Sequence, residues 1–138
     1  MPKQDLLYKD LADKIVGCFY EAYNTLGPAH EEQIHQKALV LEFKSKEIFF
    51  NDKKRLKIKY KGEEIGIYQP DFIIEDKIII EIKSLPFLPM VSEKQLYYYL
   101  RGTDYKLGYL VNFGTEKLDI RRRIYDSART NSRELALD

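Results

Sequence analysis

Two short stretches bring together the residue types that metal-assisted chemistry needs. They are Gln69-Pro70-Asp71 and Glu81-Ile82-Lys83. Glu81 and Lys83 are two apart, so on a strand they share a face. Between the stretches lie Phe72-Ile73-Ile74, a polar tip Glu75-Asp76-Lys77, and Ile78-Ile79-Ile80, which together read as a hairpin. A three-residue tip pairs Ile74 with Ile78, and counting outward puts Asp71 opposite Glu81. Facing carboxylates about 5 Å apart repel, and among isoleucines they add nothing to the fold. A divalent cation between them removes the conflict, and hard oxygen donors suit Mg²⁺ or Mn²⁺. Lys83 beside that ion can orient a water and stabilise charge on a phosphoryl oxygen. The alternative is an exposed Glu81–Lys83 pair with Asp71 in a turn, an arrangement worth little energetically. The apolar runs on either side argue instead for burial, where charges need partners.

The elements that must position these residues follow from periodicity. Leu7, Leu11, Ile15, Phe19, Ala22, Tyr23 and Leu26 recur at helical spacing and predict a helix from Leu6 to Leu26, ended by Gly27-Pro28. A second helix is expected from Glu31 to Lys46, with Ile34, Ala38, Leu41 and Ser45 as its buried face. Leu56, Ile58 and Tyr60 alternate with basic residues, as in a half-exposed strand, and Lys61-Gly62-Glu63-Glu64 turns the chain. Strands at Ile65–Ile74 and Lys77–Lys83 come next. Pro86 and Pro89 mark a loop, after which Ser92 caps a helix running to Arg101. Tyr105–Phe113 reads as an apolar strand, and a short last one spans Leu118–Ile124. The class is α/β (α+β), a small mixed sheet flanked by helices in the order α-α-β-β-β-α-β. Residues 1–125 read as one domain and 126–138 as a polar tail.

Composition sets limits. With 23 Lys+Arg against 22 Asp+Glu the net charge is +1, so no global basic field announces nucleic acid. The charge is nonetheless uneven. Lys53, Lys54, Arg55, Lys57, Lys59 and Lys61 crowd one segment and Arg121-Arg122-Arg123 another. The lysine segment suits phosphate tracking or the protection of an exposed strand edge. The single cysteine, Cys18, lies in a helical apolar pattern and reads as a buried, inert thiol. Charges run through the N-terminus and no segment is long and apolar enough to span a bilayer, so a cytoplasmic protein without membrane contact is expected.

Several stretches, in order, resemble the GxxExxY proteins of the PD-(D/E)xK nuclease superfamily. They are Asn24-Thr25-Leu26-Gly27-Pro28, Glu32 with Ala38-Leu39, Tyr60-Lys61-Gly62-Glu63 and Tyr68-Gln69-Pro70-Asp71-Phe72. Ile80-Glu81-Ile82-Lys83, Gln95 through Leu100, and Val111-Asn112-Phe113-Gly114 complete the series. The resemblance runs from Leu11 to Ile124 and implies a restriction-endonuclease-like core. It implies that Asp71 and Glu81 bind Mg²⁺ or Mn²⁺ and that Lys83 assists the attacking water. By the same resemblance Glu32 reaches the metal cluster directly or through water, and Gln95 lines the pocket. Glu32 also suits the positive end of a helix, and Gln95 also suits a surface amide. At the motif that names the family, Ala29 stands for its glycine and His35 for its tyrosine, while Glu32 is kept. The departure bears on functions tied to the tyrosine, not on the metal ligands.

His30 and His35 are five apart, about 140° round a helix, which argues against a shared zinc site. Of Tyr97-Tyr98-Tyr99, at least one ring should be core; base stacking is the sharper alternative. The leading expectation is a metal-dependent nuclease acting on DNA. The alternatives are a nucleic-acid-binding module of the same fold without turnover, and an assembly protein that dimerises through a sheet edge. With no separate DNA-reading domain in view, a sequence-specific cutter would need a homodimer or a partner.

Overall fold

The structure, a computed structural model, describes residues 7–125. Leu6 and the expected tail at 126–138 lie outside the described residues.

Helix α1 (Lys9–Leu26) buries Ala12, Ile15, Cys18, Phe19 and Ala22, close to the expected stripe. Gly27 closes it at φ 79°, a left-handed angle that suits glycine. Cys18 is buried, and desolvation pushes its thiol up to about 11. Helix α2 (Glu32–Ser45) is turned from the expected face. It buries His35, Leu39 and Phe43, while Ile34 and Leu41 are 41% and 67% exposed. The reason is aromatic packing. Phe43 meets Phe72 edge-on at 5.1 Å and Phe50 at 5.7 Å, contacts that Ala38 and Ser45 cannot supply.

The main sheet has five strands in the order β1-β4-β5-β6-β7. They are β1 (Phe50–Asn51), β4 (Phe72–Ile74), β5 (Ile78–Lys83), β6 (Leu107–Asn112) and β7 (Asp119–Ile124). β5 and β6 are parallel, joined by a crossover through helix α3 (Met90–Arg101); the other neighbours are antiparallel. The two-residue strand β1 was not expected. A separate two-stranded sheet holds β2 (Leu56–Tyr60) and β3 (Glu63–Tyr68). Its tight turn is Lys61-Gly62, at φ 49° and 84°, as a type I′ hairpin requires.

Two expectations are corrected here. The single strand Ile65–Ile74 is broken at Gln69-Pro70-Asp71, where the chain leaves the small sheet for the main one. Pro70 has no N–H for a ladder, which favours a break at this point. Helix α3 starts at Met90, so Ser92 lies inside it rather than capping it. Pro89, at φ −64°, leads in, and its carbonyl accepts from the Ser92 N–H.

Side-chain alternation builds two cores. Phe72, Ile74, Ile78, Ile80 and Ile82 pack toward α1 and α2, while Ile73 and Ile79 pack with Leu96, Leu100, Leu110, Leu56 and Tyr68. Strands β4 and β5 are therefore covered on both faces. Glu81 and Lys83 have the parity of Ile79, so they project to the side of α3 and the β2–β3 hairpin.

Candidate active site

The β4–β5 ladder pairs Ile74 with Ile78, Ile73 with Ile79 and Phe72 with Ile80, so one step further brings Asp71 against Glu81, as counted from the sequence. Beyond Phe72 the ladder continues through side chains. The Asp71 N–H donates to Glu81 Oε1 at 2.9 Å, and the Ile82 N–H donates to Asp71 Oδ2 at 2.7 Å. Each carboxylate is thus held by a main-chain donor of the opposite strand.

Electrostatics mark the pair as strained. Burial, then Asp71, pushes the Glu81 carboxyl up to about 7, against the Asp71 N–H, Tyr68 and Lys83. Burial also raises Asp71, opposed by the Ile82 N–H and Lys83. Glu32, at the first turn of α2, is raised by partial desolvation and by Asp71, and lowered by Lys83, although its side chain stays largely exposed. The Lys83 charge therefore acts on all three carboxylates. Glu32, Asp71, Glu81 and Lys83 form one electrostatic cluster.

Among the described residues, no group of three or more His, Cys, Asp or Glu is close enough to hold an ion. Glu32 is therefore near the pair without completing a cage. Two carboxylates still suit Mg²⁺, which keeps several waters and takes substrate phosphates as its other ligands. A cation is also what relieves two partly buried, mutually repelling carboxylates. The donor set fits.

Gln95 sits on the exposed side of α3, where its amide donates to the Tyr99 hydroxyl at 3.1 Å. The Tyr99 ring stacks on Tyr68 at 3.7 Å and 10°. The Tyr68 hydroxyl is buried beside Glu81, close enough to lower its pKa, yet makes no hydrogen bond of full geometry. Gln95 is thus connected to Glu81 through two tyrosines. Neither ring is among the site residues expected from the sequence. Tyr68, three residues before Asp71, was the available signal.

The end of β5 is clamped by the end of β6 and the two residues after it. Buried Asn112 accepts from the Leu85 and Gly114 N–H groups at 2.9 and 3.1 Å and donates to the Leu85 carbonyl at 3.0 Å. The Phe113 N–H donates to the Lys83 carbonyl at 2.8 Å. Gly114 has no room for a side chain, since a Cβ would lie 2.2 Å from the Leu85 carbonyl oxygen. The Ala29 N–H donates to the Phe113 carbonyl at 2.9 Å, and Ser84 Oγ donates to the His30 carbonyl. These bonds moor the start of α2, and with it Glu32, to the end of β5. An asparagine inside an apolar strand, followed by a glycine two residues on, was the sequence signal for this clamp.

His30 precedes α2, so the two histidines are not spaced along one helix as expected. The ring centroids lie 5.5 Å apart, edge to face. His30 Nε2 bonds to the Leu26 carbonyl, whereas His35 is stacked on Phe113 at 4.5 Å with neither ring nitrogen partnered. Of the tyrosine run, Tyr99 packs inward on Tyr68 and Tyr98 is 60% exposed.

A family model described as the PD-(D/E)XK nuclease superfamily matches residues 9–123. No curated protein matches the chain. Among solved structures, the crystal structure of an alkaline exonuclease from Laribacter hongkongensis is similar at 13% identity and a TM-score of 0.46. The match covers 76% of this chain, which spans 60% of that protein.

Proposed function

We propose that this chain, which belongs to the PD-(D/E)XK nuclease superfamily, is a metal-dependent nuclease that hydrolyses phosphodiester bonds in DNA. The observation that carries this reading is the Asp71–Glu81 pair, each braced by the other strand's main chain, with the Lys83 charge acting on both. Asp71 and Glu81 would hold Mg²⁺ or Mn²⁺, with Glu32 joining through water. The ion, when bound, lowers the pKa of a water and screens the phosphate. Lys83 orients that water and offsets charge as it grows on the phosphoryl oxygens. Gln95 and Tyr99 line the wall on the α3 side, and the buried Tyr68 hydroxyl lies beside Glu81.

Within the superfamily, the GxxExxY proteins are the proposed relatives. Ala29, where that motif has glycine, sits at φ 66°, a backbone angle glycine adopts freely. Residues 1–125 form the proposed nuclease domain, and the matched span, residues 9–123, supports most of that extent. The single buried thiol suits a reducing cytoplasm. No helix among the described residues is long and apolar enough to cross a membrane.

The test is cleavage of single- and double-stranded DNA and RNA with Mg²⁺ or Mn²⁺, beside Glu81→Ala and Lys83→Ala. Metal-dependent cutting of DNA lost in both variants is expected. Binding without cutting, across substrates and metals, would replace the enzyme with a binding module.

A further inference from the structure

A partly open cleft of ≈ 690 Å³ lies at the other end of β5, beyond Ile78. Five residue steps along the strand separate it from Lys83, roughly 17 Å. Seven basic residues line it against two acidic ones, Asp76 and Asp104, in a chain whose net charge is only +1. The basic residues come from separate elements: Lys54, Arg55, Lys57 and Lys59 from β2 and its approach, Lys77 from the β4–β5 tip, and Arg101 and Lys106 from either side of the turn after α3. Protection of a strand edge accounts for lysines on β2. It does not account for Lys77, Arg101 and Lys106, which converge on the same space from other parts of the chain.

Part of the lining is tied down. Lys54 pairs with Asp76 at 3.2 Å, the Tyr105 hydroxyl donates to the same carboxylate, and Lys57 pairs with Glu64 at 3.6 Å. Asp76 is thereby largely satisfied within the wall. Arg55, Lys59 and Lys106 are exposed, and among the described residues no ion pair engages them. Like charges held together without partners repel unless an anion joins them. An open, multi-sided basic cleft suits an extended polyanion better than a small enclosed one.

We propose that this cleft binds the phosphodiester backbone of a nucleic acid, at a site separate from the acidic cluster. The proposal rests on the nuclease reading above and extends it. The same strand that is cut at the Lys83 end is gripped about five base pairs away, at a rise of about 3.4 Å per base pair.

The experiment compares the wild type with the triple variant Arg55→Gln/Lys59→Gln/Lys106→Gln. Affinity for a duplex of about twenty base pairs is measured over a range of salt, without divalent ions so that nothing is cut. The variant should bind at least about tenfold more weakly, and the slope of log K against log salt should fall by about two to three. Its Mg²⁺-induced thermal shift should match the wild type's, because the acidic cluster is untouched. The charge-preserving variant Arg55→Lys/Lys59→Arg/Lys106→Arg should bind as the wild type does. Unchanged duplex affinity and slope in the glutamine variant, beside a wild type that binds and cuts, would overturn this proposal alone. A wild type that binds no nucleic acid would overturn it together with the nuclease reading.

Discussion

At the Lys83 end of β5, Asp71 and Glu81 are partly buried, crossed by main-chain hydrogen bonds and clamped from behind by Asn112. At the Ile78 end, the basic residues stand in solvent on a hairpin, a tip and a turn, with few fixed partners. Both ends gather like charges, but only the acidic one does so partly out of water. Desolvation raises the carboxyl pKa values there, whereas solvent screens the lysines at the other end. The acidic end therefore costs the empty protein stability and needs a rigid frame. The basic end costs little and depends on surface charge alone. Substitutions should separate the two.

The largest effect is expected at the frame. Gly114→Ala would drive a methyl into the Leu85 backbone and should destabilise by about 3 kcal/mol or more, read by denaturant unfolding. A loss below about 1 kcal/mol would mean that the clamp gives way easily and that the acidic end is not rigidly framed. Asn112→Ala should be somewhat milder, since it leaves two N–H groups and one carbonyl without partners.

The acidic end should show itself next, through pH. The Glu81 carboxyl rises from 4.5 in the open chain to about 7 in the fold. A raised carboxyl pKa means that the native state holds the proton more tightly, so stability without metal should increase as pH falls from about 7 toward 4.5. The penalty is fully present above that window and gone below it. Glu81→Gln should stabilise the metal-free protein at pH 8 by about 1–3 kcal/mol and flatten the pH dependence. A variant less stable than the wild type at pH 8, with the same pH slope, would show that the pair carries no such strain.

Smaller still is Ala29→Gly. Ala29 is held at φ 66° in the link that moors α2, and glycine should relieve that angle for a gain of up to about 1 kcal/mol. No gain in thermal stability would argue that the strain is relaxed. The smallest effect belongs to the basic end. Arg55→Gln, Lys59→Gln and Lys106→Gln should each leave stability within about 0.5 kcal/mol, and a larger change would give those residues a structural role.

How much of this could be read from the chain follows from how local each feature is. The Asp71–Glu81 register was legible because a three-residue tip and a period of two fix a hairpin without any distant contact. The flanked mixed sheet followed from the same apolar runs. The face of α2 was not legible, since apolar residues lie on several sides of it. Phe43 decides the face by meeting Phe72 and Phe50, and His35 goes inward with it. The break before Asp71 was signalled by Pro70, but the second sheet it feeds depends on where the hairpin docks. The link from Gln95 through Tyr99 and Tyr68 to Glu81 joins three elements far apart in sequence. Periodicity cannot show such a contact.

The central claim is that Asp71 and Glu81 share a divalent ion that serves cleavage. Its most direct test is the thermal shift produced by Mg²⁺ or Mn²⁺ in the wild type and in Asp71→Asn, with DNA cleavage measured on the same samples. An ion bound only by the folded state should raise wild-type stability by about 2.7 kcal/mol at a hundred times its dissociation constant. Asp71→Asn should be at least as stable without metal and should lose both the shift and the cutting. An equal metal shift in the variant, or cutting that survives the loss of Asp71, would contradict the account.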